Sequence, residues 1–410
     1  MDEAIVEKII DLSAFKNNFD VIKKYLDGTM ILSVLKADAY GHGMKELAIP
    51  SLENGASFLA VATTGEALVL RKYLDEQNIA RPLYAQKPDK NNPRLLCWTY
   101  DPDTDLQEVI LGDIDIAISN TKQLQQVICA LEKVNLAEEL SVPKKTEVVG
   151  NESEKVFQKK AYVHIKVDTG MSRIGVQIQD LPHLVKEIKR HDNIVATGLF
   201  SHLACADELE SDYTNYQRNI FEEAISICED NNLHIPYKHL AASSGILFHP
   251  DTHYDMVRAG IIMYGLTPNI QIATGKQLGL KPVMSLETKV IQVKKFVAGT
   301  KISYGGTYTL DKDSYVAVVP FGYADGMPRI LSNNTEVEIN GKTYPQVGRI
   351  CMDQFMVNLG DNLDNIAAGA TVKIIGDLVT ADDLAANAQT INYEIVTKIN
   401  GRIKTVYLNK

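Results

Sequence analysis

Lys36 ends an apolar run at residues 30–35 and opens a stretch of small residues with one tyrosine and two glycines around a histidine. That stretch reads Val34-Leu35-Lys36-Ala37-Asp38-Ala39-Tyr40-Gly41-His42-Gly43. An apolar run this short, closed by turn signals, reads as a buried strand. The amine of Lys36 therefore sits where a strand leaves the core. Burial disfavours the ammonium form, lowers the pKa and makes the amine nucleophilic, which is the state a Schiff base requires. Other strand-like runs end in further polar groups. One ends in Lys166-Val167-Asp168-Thr169-Gly170-Met171-Ser172-Arg173, another in Ser201-His202 and a third in Ser243-Ser244-Gly245, while the last carries Arg258, Gly260 and Ile261. Serines and glycines with backbone N–H groups to spare suit a phosphate. A Schiff-base lysine together with a phosphate cradle is what pyridoxal phosphate needs.

Each of these residues has a plainer reading. Lys36 pairs equally well with Asp38 or simply ends a strand. Ser243 and Ser244 suit an ordinary helix N-cap. Arg173 and Arg258 are as easily structural partners of Asp168 or Asp255, and His202 in an apolar strand is as easily a satisfied core histidine. No His, Cys and Asp cluster has metal-ligand spacing, so no metal is expected. The functional reading gains because all these residues fall at the same ends of successive strands. Two later stretches add to it. Ile302-Ser303-Tyr304-Gly305-Gly306-Thr307 sets a tyrosine in a glycine-rich loop, either a turn aromatic or an exposed acid–base group. Gly348-Arg349-Ile350-Cys351-Met352-Asp353-Gln354 mixes charge into a strand pattern.

The elements that must position these groups follow from the rhythm of the chain. Apolar runs at 30–35, 58–62, 82–85, 114–119, 162–167, 194–201, 237–242 and 256–263 alternate with helical patterns such as 64–74, 122–134, 181–190 and 213–230. Eight strand–helix units in roughly 250 residues imply a closed (β/α)8 TIM-type barrel, with its active site at the C-terminal strand ends. An open doubly wound sheet is the competitor, weakened because no Gly-x-Gly-x-x-Gly follows the first strand. After about residue 278 the pattern becomes strand upon strand, with Asn340-Gly341 a type I′ hairpin signal. We therefore expect residues 1–278 to form the barrel and 279–410 a mainly β C-terminal domain. Residues 136–160 are rich in Lys, Glu, Ser and Asn without apolar periodicity, and read as a mobile surface insertion.

Composition narrows the class. A chain of 410 residues suggests two domains. Its net charge of −10 with no basic stripe gives no footprint for nucleic acid. No apolar run reaches the ~20 residues that span a bilayer. The N-terminus Met1-Asp2-Glu3 lacks a signal-peptide core, and five scattered cysteines form no disulfide framework. A cytoplasmic enzyme is expected.

Lys36-Ala37-Asp38-Ala39-Tyr40-Gly41-His42-Gly43 resembles the signature of the alanine racemases. The stretch from Lys166 to Gly175 resembles that family's second motif. Met256-Val257-Arg258-Ala259-Gly260-Ile261, Ser303-Tyr304-Gly305 and Gly348 to Gln354 resemble three more, in order over nearly the whole chain. The resemblance implies a pyridoxal 5'-phosphate-dependent racemase of small amino acids, a head-to-tail homodimer with shared active sites. It implies Lys36 as the lysine bonded to the cofactor, and Tyr40, Ser243, Gly260, Ile261 and Tyr393 at the cofactor phosphate. Arg258 is implied at the pyridine nitrogen, with His202 bonded to it, and Arg173 at the phenolic oxygen. Tyr304 is implied as the second base, supplied by the partner subunit, and Arg173, Met352 and Asp353 near the substrate. Some members carry a carbamylated lysine at the place of Lys166. Alanine is the default substrate, supplying D-alanine for peptidoglycan. Serine stays open because a methyl and a hydroxymethyl differ little to a small pocket. The chain departs from the family at Ala242, where Asn is usual, and at Arg402-Ile403-Lys404-Thr405, which lacks the usual proline. Two other classes compete. A basic-amino-acid decarboxylase of the same architecture would set an acidic residue at the pyridine nitrogen. A single-barrel cofactor carrier would lack the C-terminal domain and Tyr304.

Overall fold

The computed structural model describes residues 5–83, 86–141 and 158–409. They form two compact units, one of Ile22–Ala37 and Met44–Gly260, the other of Met1–Val21, Asp38–Gly43 and Ile261–Lys410. Strand β1 (Glu7–Asp11) lies in the second unit. The first unit holds β2 (Met30–Val34), β3 (Ala56–Thr63), β4 (Arg94–Thr99), β5 (Asp115–Ile118), β6 (Ala161–Lys166), β7 (Ile194–Phe200), β8 (Tyr237–His239) and β9 (Met256–Ala259). These eight run in the order β8-β7-β6-β5-β4-β3-β2-β9, with every pair parallel. At the seam between β8 and β9, Arg258 N–H donates to Ala241 O at 3.0 Å and Asp255 N–H to Lys238 O at 3.1 Å, so the sheet is an almost closed barrel. Strands covered on both faces read as unbroken apolar runs. That is why β3 is buried from Ala56 to Val61. Thr63 and Glu66 then form a capping box that starts the helix Thr64–Glu76.

One expected strand is corrected. The third barrel strand is Arg94–Thr99, not 82–85. Residues 82 and 83 are not strand, and 84–85 lie outside the described residues. The run at 82 opens on a proline, which has no N–H for a ladder. The true strand opens on an arginine, which hydropathy reads as surface but which here is buried beside Asp115. The expected insertion is also sharpened at its ends. The helix Thr121–Ser141 runs into it. At the far end Lys159 exchanges two hydrogen bonds with Asn135, at 2.8 and 3.3 Å, and its ammonium meets Asp113 at 2.7 Å. Residues 142–157 lie outside the described residues.

The second unit is mainly β. Its nine-stranded sheet runs in the order Gln292–Phe296, Ser314–Val319, Phe355–Gly360, Lys342–Val347, Glu336–Ile339, Thr371–Ile375, Met284–Lys289, β1, Lys404–Leu408. The expected hairpin is present: Ile339 pairs with Lys342, and Asn340 and Gly341 take positive φ of 52° and 75°, the type I′ requirement. A two-residue ribbon, Lys301–Ile302 against Tyr308–Thr309, flanks the Tyr304 turn. Among the described residues, no helix is long and apolar enough to cross a membrane.

Candidate active site

In the barrel unit, Lys36 follows β2, Lys166 ends β6, His202 follows β7, Ser243 opens the helix after β8, and Arg258 lies in β9. All sit at the C-terminal ends of parallel strands, the expected rim. Their charges act on one another. Burial first, then the charge of Arg173, lower the pKa of Lys36; Glu66 pulls the other way, and Arg258 adds a lesser lowering effect. Its ammonium also lies 6.0 Å from the Trp98 ring centroid. Burial, reinforced by Arg258, Arg173 and Lys36, brings Lys166 down to about 8. His202 falls to about 3, through burial and then the same cations. It is a neutral imidazole whose Nδ1 lies 3.4 Å from Arg258 Nη2.

Arg258 itself is 5% exposed. Its fork donates to the carbonyls of His239 and Ser201 at 2.7 Å and of Leu240 at 2.9 Å. Burial pulls it down to about 9, which leaves it charged at neutral pH. Among the described residues no carboxylate pairs with Arg258 or Arg173, so the alternative pairings with Asp255 and Asp168 do not form. Asp255 meets Lys238 at 3.6 Å. Asp168 instead ties its own loop, accepting from the N–H groups of Gly170 and Ser172 at 3.0 Å. Ser243 is 4% exposed, and its hydroxyl accepts from Gly260 N–H at 3.2 Å, linking the loops after β8 and β9. Ala242, at the place of the family's asparagine, is extended and supplies no side-chain cap.

The lysine-bearing segment has a feature invisible in its composition. Ala37, Asp38, Ala39 and Tyr40 all have φ of 52–55°, and Gly41 has 80°, so the helical turn Lys36–Gly41 is left-handed. Such backbone costs ~1–2 kcal/mol per non-glycine residue, or about 4–8 kcal/mol for four. Within the barrel unit, Glu66 Oε1 accepts from Ala37 N–H at 2.7 Å. Within the other unit, buried Lys8 donates to Gly41 O at 2.5 Å, and Tyr407 Oη donates to His42 O at 3.2 Å. His42 Nδ1 lies 2.9 Å from Tyr40 O and its ring stacks 4.5 Å from Tyr264. A Cβ on Gly41 would lie 2.5 Å from Val396 O. Glu66, Lys8 and Tyr264 escaped sequence reasoning, because a capping glutamate and a buried strand lysine carry no motif.

The second unit brings together the remaining expected residues in two groups. Tyr40 is buried with ring centroids 5.0 Å from Tyr264 and 6.1 Å from Tyr393, and Ile261 is buried. Tyr304 and Met352 are 70% and 53% exposed. Ser303, at φ 63°, donates from its hydroxyl to Arg349 O at 2.6 Å, which pins the Tyr304 turn to the stretch from Gly348 to Gln354. Tyr304, Cys351 and Gln354 line a cavity of about 420 Å³. Asp353 pairs with Arg402 at 2.9 Å, and Arg402 also holds Asp325, so the arginine before the missing proline is an ion-pair hub. Chemically, the barrel rim offers an amine of lowered pKa within a field of cations. The exposed turn offers a phenol.

The descriptions "Alanine racemase, N-terminal domain" and "Alanine racemase, C-terminal domain" match residues 10–268 and 283–407. The chain is 36% identical over 415 residues to an alanine racemase of Mycolicibacterium vanbaalenii, covering 100% of this chain and 96% of the relative. It is 36% identical over 406 residues to one of Methanococcus maripaludis, covering 98% of each. The crystal structure of alanine racemase from D-cycloserine-producing Streptomyces lavendulae superimposes with a TM-score of 0.87 at 34% identity, covering 100% of this chain and 98% of that one.

Proposed function

The chain belongs to the alanine racemase family and is an amino-acid racemase, an isomerase, and from this we propose that it interconverts L-alanine and D-alanine with pyridoxal 5'-phosphate, using Lys36 and Tyr304 as opposed bases. The observation that carries the reading is the state of Lys36, an amine whose pKa burial and two neighbouring guanidiniums lower. The donor set suits this cofactor. It combines an amine able to bond an aldehyde, a rim of cations whose charges lower Lys36, Lys166 and His202, and a buried serine hydroxyl beside a glycine. Such a rim calls for an anion.

When bound, pyridoxal phosphate supplies the electron sink that acidifies the α-hydrogen of an amino acid. The chain does the rest. Ser243 and Gly260, with Tyr40, Ile261 and Tyr393, would hold the phosphate, and Arg173 would meet the phenolic oxygen. Arg258 keeps its own protons and would donate to the pyridine nitrogen without protonating it. Lys36 as a neutral amine takes or returns the α-proton on one face, and Tyr304 does so on the other. Tyr304, Met352 and Asp353 would act in the site of a second copy of the chain, so residues 1–278 carry the cofactor lysine and 279–410 contribute to the partner's site. In the cytoplasm this activity supplies D-alanine for peptidoglycan.

The test is a D-alanine-coupled assay on the purified enzyme with cofactor, run with L-alanine, L-serine and L-lysine, followed by solvent-deuterium exchange in Tyr304→Phe. We expect turnover of alanine above the other two, and exchange from one enantiomer lost far more than from the other. Equal loss from both would remove the two-base assignment. No racemisation of any amino acid would remove the function.

A further inference from the structure

A continuous line of buried polar groups runs through the barrel interior from Arg258. Arg258 Nη1 lies 3.3 Å from His239 Nδ1. His239 Nε2 lies 3.1 Å from His164 Nδ1, and His164 Nε2 lies 3.0 Å from Asp115 Oδ2. The other oxygen, Asp115 Oδ1, accepts from Arg94 Nη2 at 2.7 Å, and the same nitrogen donates to Thr197 Oγ1 at 3.2 Å. His239, His164 and Asp115 are 0% exposed, Arg94 4% and Arg258 5%. The line is built and not incidental. A Cβ on Gly198 would lie 2.0 Å from His164 Nδ1, so only glycine leaves room for that ring. The His239 ring stacks on Phe200 at 4.8 Å and 4°, which fixes its plane.

The donors and acceptors fix the direction of every bond. Arg94 and Arg258 only donate, and an ionised carboxylate only accepts. Asp115 therefore accepts a hydrogen bond from His164 Nε2–H. That leaves His164 Nδ1 as an acceptor, which takes from His239 Nε2–H. His239 Nδ1 is then an acceptor, turned toward Arg258 Nη1–H. A neutral imidazole has one donor and one acceptor nitrogen, so setting one sets the other. Burial and the flanking arginines hold both histidines below their ordinary value, while Arg94 and His164 outweigh the effect of burial on Asp115.

We propose that Asp115, acting through His164 and His239, fixes the hydrogen-bonding polarity at Arg258, so that these three are positioning residues for the reaction. The functional part of this rests on the racemase reading above; the relay itself does not. Asp115→Asn is the informative change because it is isosteric. Arg94, which only donates, draws the amide oxygen, so the amide nitrogen must face His164. His164 Nε2 then becomes an acceptor and Nδ1 a donor, and His239 reverses in turn. His239 ends with an N–H directed at the Arg258 fork, two donors facing each other.

The experiment is ¹⁵N NMR of histidine-labelled enzyme as purified, with single His→Gln variants for assignment. In the natural protein we expect His164 and His239 to be neutral and protonated on Nε2. Either one protonated on Nδ1, or cationic, overturns the relay, and this arm reads the natural protein and does not need Asp115→Asn to fold. In folded Asp115→Asn we expect the proton of His239 to move to Nδ1, two residues away from the change. An unmoved His239 overturns the relay. The variant's kcat/KM should fall about tenfold or more, by analogy with the loss of outer partners of metal-bound histidines. A reversed tautomer with unchanged kcat/KM overturns the positioning role alone. Absence of racemisation in the natural protein refutes the proposed function while leaving the NMR result to stand or fall separately.

Discussion

Replacing Arg94 by methionine keeps much of its buried bulk and removes its charge. Arg94 and Asp115 are 4% and 0% exposed and 2.7 Å apart. Removing one partner of a buried pair costs about 3–5 kcal/mol. This agrees with ~4 kcal/mol for unit charges 4 Å apart at an effective dielectric of about 20. Arg94 also lies over the rings of Tyr162, Phe58 and Tyr237 at 5.4, 5.8 and 5.9 Å, each contact worth about 0.5–1 kcal/mol. These two losses separate by pH. In the natural protein burial opposes ionisation of Asp115, but Arg94 and His164 hold its carboxyl below the usual range. Its contribution is therefore complete above the unfolded value of ~3.9 and is lost as pH falls through the lower folded value. Without Arg94, burial dominates and raises the carboxyl pKa. The sign reverses: stability is lost as pH rises from the unfolded value through the raised folded one. The deficit of the variant should thus be greatest near pH 8 and shrink toward pH 5, where the lost ring contacts and the lost stabilisation of the lowered carboxylate remain. At about 2–4 °C per kcal/mol for a unit of this size, the charge loss lowers the thermal midpoint by roughly 6–20 °C near pH 8. Thermal unfolding followed by circular dichroism at both pH values checks this. A midpoint within about 2 °C of the natural protein at pH 8, or an equal deficit at both, would refute the reasoning.

Gly41→Ala should destabilise by about 2 kcal/mol or more, from a left-handed non-glycine residue plus overlap, because its Cβ would lie 2.5 Å from Val396 O; an unchanged urea midpoint would contradict the account of the turn. Lys166, brought to about 8 by burial and the neighbouring cations, should be acylated by acetic anhydride with a rate that climbs through pH 8, read by peptide mass spectrometry. A midpoint near that of a surface lysine would reject that environment. Glu66 raises the pKa of Lys36 against the larger lowering effects, so Glu66→Gln should move the acidic limb of the kcat profile, which reports the lysine once substrate has released it, to lower pH. A shift to higher pH would show that Lys36 is not the group that limb reports.

The sequence by itself determined the architecture and singled out the candidate residues for chemistry. Periodicity placed seven of the barrel strands, and the β-rich final third announced itself through short strands and an Asn-Gly turn, because these are local properties of the chain. The same rhythm put Lys36, Lys166, His202, Ser243 and Arg258 at strand ends, and their convergence on one rim follows from the geometry of a parallel barrel. Hydropathy failed at β4, since Arg94 counts as surface until Asp115 is seen to neutralise it. Only the tertiary structure reveals that the turn carrying Lys36 winds left-handed, because four consecutive positive φ values at Ala37, Asp38, Ala39 and Tyr40 oppose their local preference and are held by distant Lys8, Glu66 and Tyr407. It alone shows that Arg94, Asp115, His164 and His239, scattered over 146 positions of sequence, meet as one line of hydrogen bonds. Each is a polar residue of a barrel strand, and what it does is decided by the partner that the barrel sets beside it.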